Sequence, residues 1–224
     1  MSQHLNLPCR ARKSPAIASG CFVMMAVLGG CSGGVASRVT APGYSPQQAA
    51  SKAIEVYDTD KDGFVAGSEL DNAPGLKAAL KNLETDGDGK VSESEVAERV
   101  QAWENQGVGI MQFSCDVVLD GRGLEGATVT FEPDVFLEGV VEAGSATTDG
   151  FGSASPRIPK ENRRSPTDPP GMQLGIYKVR ISKIVGGKEI IPPQYNSETT
   201  LGQEVAKDDR SIMNKKMVFY LKSR

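Results

Sequence analysis

The spacing of apolar residues changes near the middle of the chain. Up to about residue 106 they recur every three or four positions, the period of an amphipathic helix. These stripes are Ala49, Ala50, Ala53 and Tyr57, then Leu76, Ala79, Leu80 and Leu83, then Val96, Val100 and Trp103. Ser45-Pro46 supplies a helix start for the first stripe. The first half of the chain is therefore predicted to be helical, with its stripes forming a mutual core.

From Met111 onwards apolar and polar residues alternate, which is the period of a strand with one buried face. Turn segments rich in Gly, Pro and Asp separate the alternating segments. The predicted inward residues are Met111, Phe113, Cys115, Val117 and Leu119, then Ala127, Val129 and Phe131, then Tyr177, Val179 and Ile181, and finally Met217, Phe219 and Leu221. This pattern predicts an antiparallel β-sandwich with one solvated face on each sheet, and it places Cys115 in the core.

Two acidic segments interrupt the helical half: DTDKDGFVAGSE, residues 58–69, and ETDGDGKVSESE, residues 84–95. Ca²⁺ takes oxygen ligands from positions 1, 3, 5, 7, 9 and 12 of a twelve-residue loop that has Gly at position 6. In the first segment the predicted ligands are Asp58, Asp60, Asp62, the Phe64 carbonyl and Glu69, with a water at Ala66. We expect a calcium ion here. The alternative is a solvated acidic turn.

The second segment departs from the calcium pattern at its first position. Its predicted ligands are Glu84, Asp86, Asp88, the Lys90 carbonyl, Ser92 and Glu95. Glutamate at position 1 carries one methylene more than aspartate, so its carboxylate is displaced and weaker binding is expected. Alternatively, the segment is a degenerate loop that persists because Val91 pairs with Val65. Residues 45–106 contain no methionine, which favours a static calcium-stabilised module over a sensor with a Met-rich groove.

Charge and histidine content narrow the classes of function. Residues 51–106 hold thirteen acidic and six basic residues. Such an excess disfavours nucleic acid as a partner, because no basic face is available to release phosphate counterions. The only histidine is His4, so the rest of the chain has no imidazole for acid–base catalysis or zinc binding. We therefore predict that the protein is not an enzyme.

The first 30 residues have the layout of an export signal: a basic start followed by an apolar run, residues 16–28, that is too short to span a bilayer. This run ends in Leu28-Gly29-Gly30-Cys31, which resembles the bacterial lipoprotein box. The resemblance implies a lipid on Cys31, a membrane partner and a place on the periplasmic or outer-membrane face of the cell envelope. The alternatives are an ordinary signal peptide cut near Gly30 or a short anchor helix. Residues 31–44 are predicted to be a flexible tether.

The two halves resemble known modules. Residues 45–107 resemble compact EF-hand pairs of extracellular bacterial proteins. In residues 111–224, LDGRGLEGATVTFEP, TTDGFGSAS, GIYKVRIS and IPPQYNSETTL are similar to transthyretin-like or carboxypeptidase-regulatory-like domains, and the whole layout is similar to planctomycete secreted lipoproteins. The resemblance implies an α+β multidomain fold, with a small all-α EF-hand pair followed by an all-β transthyretin-like (Ig-like) antiparallel sandwich. Some relatives of transthyretin hydrolyse ureides with histidines, which this chain lacks after residue 4.

These observations predict a calcium-binding, lipid-anchored envelope protein whose sandwich is a non-catalytic structural or binding module. Its expected partners are the membrane and an envelope protein or glycan. One alternative is an adhesion or carbohydrate-binding module, with Tyr195, Tyr220 and the loop 159–173 as candidate contacts. The other is an accessory subunit of an envelope enzyme.

Overall fold

The computed structural model describes residues 39–215 and 217–223 and is a mixed α+β fold. The predicted leader, Cys31 and the tether up to residue 38 lie outside the described residues. The helices are α1 (Pro46–Tyr57), α2 (Ser68–Asn72), α3 (Pro74–Leu83), α4 (Glu93–Gln106) and α5 (Arg210–Met213). The strands are β1 (Phe64–Val65), β2 (Val91–Ser92), β3 (Cys115–Leu119), β4 (Arg122–Gly123), β5 (Thr128–Pro133), β6 (Gly144–Thr147), β7 (Ser153–Ala154), β8 (Gly175–Ser182), β9 (Ile184–Val185), β10 (Lys188–Glu189), β11 (Gly202–Val205) and β12 (Met217–Leu221).

Three of the four helices of the N-terminal half, α1, α3 and α4, follow the predicted stripes. α1 has Pro46 at its first position and packs its buried alanine face against α4. α2 has only five residues, because Pro74 starts α3 immediately afterwards and fixes its first turn. β1 and β2 pair in an antiparallel manner with Val65 opposite Val91, and both side chains are fully buried. The two acidic segments are therefore joined at their centres.

The C-terminal half contains two four-stranded arrangements. The first sheet has the order β11-β8-β5-β6 and is antiparallel throughout. The second has the order β12-β3-β4, with β7 also paired to β3. In the second sheet β12 runs parallel to β3, which differs from the all-antiparallel prediction. A parallel pair needs a long connection, and here nearly the whole C-terminal half separates the two strands.

The inward faces of the strands match the alternating pattern. The buried residues are Cys115, Val117, Ala127, Val129, Phe131, Tyr177, Val179, Ile181, Met217, Phe219 and Leu221. The two sheets meet where the Phe131 ring lies 6.3 Å from the Phe219 ring, centroid to centroid. Burial raises the pKa of the Cys115 thiol to about 12, so this thiol is a neutral core group. Met111 and Phe113 precede the first strand of this half, and like Leu119 at its end they are only partly buried.

Helices and sheets share one continuous hydrophobic core, and the described residues from 39 onwards form a single compact unit. α3 lies against β11 and β8, and the approach is closest at two glycines. A Cβ on Gly75 would lie 2.6 Å from the Asp134 carboxylate and from Ile176, and a Cβ on Gly202 would overlap the Pro74 carbonyl. None of the helices in the described part of the chain has the length and apolar character needed to cross a bilayer.

Candidate metal centres in two acidic loops

The first acidic loop, residues 58–69, connects α1 to α2. Asp58 follows the last residue of α1 and turns its carboxylate back over the loop. That carboxylate accepts backbone hydrogen bonds from Lys61 at 2.6 Å, Asp62 at 3.2 Å and Gly63 at 2.9 Å. Gly63 has a φ of +90°, which glycine adopts without the steric penalty of a Cβ. The turn thus places the position 1 carboxylate over the middle of the loop.

Glu69, at position 12, reaches back across the same loop from the start of α2. Its carboxylate accepts hydrogen bonds from the Ala66 backbone at 3.1 Å, the Thr59 backbone at 2.6 Å and the Thr59 hydroxyl at 2.8 Å. These hydrogen bonds lower the pKa of Glu69 to about 2, because each of them favours the charged form. Glu69 is therefore an anion at neutral pH with a fixed orientation.

Three carboxylates of the first loop lie close enough to share one cation. Asp58, Asp60 and Glu69 each present one oxygen, and these oxygens lie within 4.8 Å of one another. Carboxylate oxygens are the ligands that Ca²⁺ prefers, and like charges at this separation repel one another unless a cation lies between them. The donor set of the first loop therefore fits a calcium ion.

Asp62 and Lys90 connect the first loop to the second. The Asp62 carboxylate accepts from the Phe64 backbone at 2.9 Å and lies 3.3 Å from the Lys90 ammonium. The same ammonium lies 4.7 Å from the centre of the Phe64 ring. Asp62 is thus outside the three-carboxylate cluster, although we predicted it as a ligand. Phe64 and Lys90, predicted to offer backbone carbonyls, lie respectively in β1 and directly before β2.

The second loop, residues 84–95, begins at the end of α3 and holds a different cluster. Glu84, Asp86 and Asp88 each present one oxygen within 4.8 Å of the others. Among the described residues, the Glu84 carboxylate accepts from the Gly87 backbone alone, whereas Asp58 in the first loop holds three backbone donors. The longer side chain at position 1 therefore accepts fewer backbone hydrogen bonds from its loop than Asp58 does.

Glu95, at position 12 of the second loop, has nearly the same surroundings as Glu69. It accepts from the Thr85 backbone at 2.8 Å and from the Ser92 backbone at 2.9 Å. Burial alone would raise the pKa of Glu95, but the hydrogen bonds from Ser92 and Thr85 outweigh it and lower that pKa. Glu95 nevertheless lies outside the second cluster. Ser92, a predicted ligand, forms the N-terminal capping box of α4 with Glu95.

The threonine at position 2 of each loop was not among the predicted functional residues. Thr59 and Thr85 each donate both a backbone N–H and a hydroxyl to the position 12 glutamate of their own loop. The repeated Glu/Asp-Thr-Asp start of the two loops carried that signal in the sequence. Both loops therefore orient the last carboxylate in the same way.

A buried carboxyl connects the first loop to the sheets. Asp134 is fully buried and accepts a hydrogen bond of 2.6 Å from the hydroxyl of Tyr57, the residue immediately before Asp58. Its second oxygen has no hydrogen-bond partner among the described residues. Burial raises the pKa of Asp134, and the Tyr57 hydrogen bond only partly opposes that rise.

A larger buried network connects the helices around the second loop to β11. The Glu204 carboxylate accepts from Arg99 at 2.5 Å, from the Trp103 indole at 2.9 Å and from the Asn82 amide at 2.7 Å. Arg99 also pairs with both oxygens of Asp208, at 2.9 and 2.8 Å. Burial disfavours the charge on Arg99, but hydrogen bonds from Arg99 to Asp208 and Glu204 outweigh burial and raise its pKa. The ion pair therefore fixes α4 on the sheet.

Several residues of the alternative recognition surface take part in hydrogen bonds within the protein, including the Tyr195 hydroxyl, which accepts from the Lys222 backbone at 3.3 Å beside the strand of Tyr220. Arg163 donates to the backbone carbonyls of Ile158 and Asp168 within its own loop, and Arg164 donates to the carbonyl of Ala41. Tyr195 is half-buried, whereas Tyr220 on β12 is 71% exposed. The two arginines thus hold the loop 159–173 in shape, and Tyr220 is the more accessible of the two tyrosines.

Comparison of the chain with protein-family models and with curated proteins finds no match in either set.

Proposed function

We propose that the two acidic loops form an EF-hand pair that binds Ca²⁺, and that calcium stabilises a non-catalytic envelope protein held to the membrane by a lipid on Cys31. The β-strands of the C-terminal half would form its transthyretin-like sandwich. The observation that carries the proposal is the repeated arrangement of Glu69 and Glu95, each held by the threonine at position 2 and the backbone at position 9 of its loop.

The residues proposed to hold calcium in the first loop are Asp58, Asp60 and Glu69, whose oxygens already converge. Asp62 would join them after leaving the Lys90 ammonium, 3.3 Å away and half-exposed, and the Phe64 carbonyl would complete the protein ligands. Bound calcium would neutralise the repulsion among these carboxylates. The chain itself orients the ligands through the backbone donors of the loop.

In the second loop Glu84, Asp86 and Asp88 would provide the carboxylates on one side of the ion. Glu95 would have to turn towards this cluster, together with the Lys90 carbonyl and an oxygen at Ser92. Because Ser92 and Glu95 are already bonded to each other in the cap of α4, calcium binding competes with that cap. This competition supports weaker binding at the second loop.

A structural role for calcium is supported by the connections between the loops and the sheets. Tyr57 and Arg99 carry hydrogen bonds from the loop-flanking helices to buried acids of the C-terminal half. A ligand that binds the folded state alone stabilises every element that folds with its site. Calcium would therefore raise the stability of the sheets as well as that of the loops.

Calorimetric titration of the chelator-treated protein with calcium, together with thermal melts with and without calcium, tests the proposed function. We expect two binding events of unequal affinity and a rise in the melting temperature of one common transition. Magnesium at the same concentration is the matched control, since it prefers a smaller octahedral site. The absence of both heat and a melting shift would refute the calcium role.

The lipid anchor is tested separately by fractionating cells that express Cys31→Ser. We expect the protein to move from the membrane fraction to the soluble fraction. Cys21→Ser, a change within the predicted leader, is the matched control and should stay in the membrane fraction. If both variants fractionate alike, Cys31 is not the attachment site.

A further inference from the structure

A cleft of about 500 Å³ lies at one end of the second sheet, distant in sequence from the acidic loops. It is located where β3 and its parallel neighbour β12 begin and where β7 ends. The segment before β3 forms one wall, and the segment after β7 forms another. Residues 170–171, together with α5 and its exit, complete the lining.

The charge of this cleft is opposite to that of the acidic loops. Among the described residues its lining includes two cations, Arg157 and Lys215, and no acidic residue. The hydroxyls of Ser114 and Ser155 lie 3.1 Å apart in the same lining. A concave site with two cations and adjacent hydroxyls is suited to an anionic group, since charge-assisted hydrogen bonds are the strong ones.

The backbone of Arg157 is held by hydrogen bonds, whereas its side chain makes none with the described residues. Its backbone exchanges hydrogen bonds of 3.1 and 3.2 Å with Ser145 at the edge of the first sheet. Among the described residues, its guanidinium has no hydrogen-bond or ion-pair partner. Arg163 in the neighbouring loop differs, because backbone carbonyls hold its guanidinium. Arg157 is therefore available to a ligand at a defined place in the cleft.

Lys215 has a backbone conformation that is uncommon for its residue type. It follows α5 with a φ of +52°, in the left-handed region where residues other than Gly are infrequent. Its backbone N–H donates to the carbonyl of Ile212, which also lines the cleft. This turn keeps Lys215 at the cleft, whereas a continued helix would carry the chain further along the axis of α5.

Apart from Gln112, whose side-chain amide donates to the Pro170 carbonyl at 2.8 Å, the remaining lining is apolar. Phe113 is half-buried, and its ring packs edge-on at 5.6 Å against Phe131 in the core. Pro156, Pro170 and Ile212 complete the apolar surface. A ligand that fills the cleft would therefore present an apolar or ring face beside its anionic group.

We propose that this cleft binds a small organic anion. The carboxylate, sulfate or phosphate group would lie between Arg157 and Lys215, with Ser114 and Ser155 as further hydrogen-bonding partners. The ring or apolar body would cover Phe113. This site is separate from the calcium loops, and the proposal does not depend on calcium binding.

Titration of the isotopically labelled protein, followed by amide NMR shifts, tests the site with two pairs of probes. Each pair has matched shapes and differs in charge: glucuronate with glucose, and benzoate with benzamide. We expect at least one of the two anions to shift the amide signals of residues 112–114, 155 and 157 and to bind at least about tenfold more tightly than its neutral partner. The double variant Arg157→Ala/Lys215→Ala should lose at least about tenfold in affinity for that anion.

The matched control is Arg122→Ala/Lys188→Ala, which removes the same charge from two exposed positions in β4 and β10. It should bind the anion as the unchanged protein does. The proposal is overturned if neither anion binds better than its neutral partner, or if both double variants weaken binding equally. It is also overturned if inorganic sulfate binds as tightly as the organic anions, because Phe113 would then contribute nothing.

Discussion

The two acidic loops differ both in their carboxylate clusters and in their attachment to the sheets, and the loop with the more complete cluster has the weaker attachment. The first loop has the more complete cluster, since Glu69 joins Asp58 and Asp60. Among the described residues, one hydrogen bond, from Tyr57 to Asp134, joins its flanking helix α1 to the segment that follows β5. The second loop lacks its position 12 carboxylate in the cluster, yet the helices around it are fixed by the network at Glu204.

This difference shows that the more complete carboxylate cluster and the firmer attachment to the sheets lie in different halves of the helical region. The short β1–β2 pair and the Lys90–Asp62 contact join the loops. Any stabilisation of the first loop can therefore be passed to the second loop and, through the network at Glu204, to the sheets. The predictions below separate the two contributions.

The largest effect is expected from breaking the attachment of the second loop. Arg99→Met leaves the Glu204 carboxylate buried without its ionic partner, although Trp103 and Asn82 still donate to it. Removing one member of a buried pair costs about 3–5 kcal/mol. Tyr57→Phe, the corresponding change at the first loop, leaves one buried acceptor unpaired and should cost about 1–3 kcal/mol.

Denaturant unfolding of both variants in excess calcium measures these costs. Arg180→Met is the matched control, because its ion pair with Glu132 is half-exposed and should cost at most about 1 kcal/mol. If Arg99→Met costs no more than Arg180→Met, the network at Glu204 does not hold the helices to the sheet.

The next largest effect concerns the position 12 carboxylates. Glu69→Gln removes a charged ligand from a cluster that already includes it, so calcium affinity of the first loop should fall about 100-fold. Glu95→Gln should change the affinity of the second loop by less, because Glu95 lies outside its cluster. Calorimetry of each variant measures both sites. Glu98→Gln, on the exposed face of α4, should leave the calcium affinity of both loops unchanged. If Glu69→Gln and Glu95→Gln lose equal calcium affinity, the two loops do not differ in their use of the position 12 carboxylate.

A reciprocal exchange at position 1 gives a smaller effect. Glu84→Asp shortens the side chain by one methylene and should allow it to accept several backbone donors, as Asp58 does. We expect calcium affinity of the second loop to rise about tenfold, and Asp58→Glu to lower that of the first loop by a similar factor. If Glu84→Asp leaves the affinity unchanged, the weakness of the second loop arises from the Ser92–Glu95 cap.

The periodic pattern of the sequence predicted the local structure well. The helical stripes are confirmed, and so are the inward faces of the strands except at Met111, Phe113 and Leu119, which are only partly buried. The loop sequences predicted the first cluster apart from Asp62, which the sequence could not show to be paired with Lys90. That contact depends on the register of β1 against β2, which is a tertiary property.

Three features depend on long-range packing, so the pattern did not reveal them. The parallel pairing of β12 with β3 joins strands from opposite ends of the C-terminal half. Glu204 lies in a short edge strand and is buried because α3 lies against β11 and because Arg99 and Trp103 of α4 contact its carboxylate. Asp134 follows Pro133 in a turn-like segment, but α1 covers it. An acidic residue in a strand or turn is ordinarily exposed, so neither position stood out.

The smallest expected effect is a dependence of stability on pH in the absence of calcium. The folded pKa of Glu69 is about 2, against an ordinary value of 4.5, and that of Glu95 is also lowered. Each glutamate therefore stabilises the fold above about pH 4.5, and this contribution is lost as the pH falls through the folded pKa. Asp134 acts in the opposite sense, since its raised pKa favours the fold at low pH.

Thermal melts in chelator between pH 7 and about pH 2 measure this balance. Glu69→Gln should flatten the loss of stability below about pH 4.5, because glutamine has no proton to gain. Asp134→Asn should steepen it, because the variant loses the group that gains stability on protonation. Glu98→Gln should follow the unchanged protein. A Glu69→Gln profile that parallels the unchanged protein would mean that the hydrogen bonds from Thr59 and Ala66 do not favour the charged form of Glu69. The first loop would then not hold an ionised, oriented carboxylate in the absence of calcium.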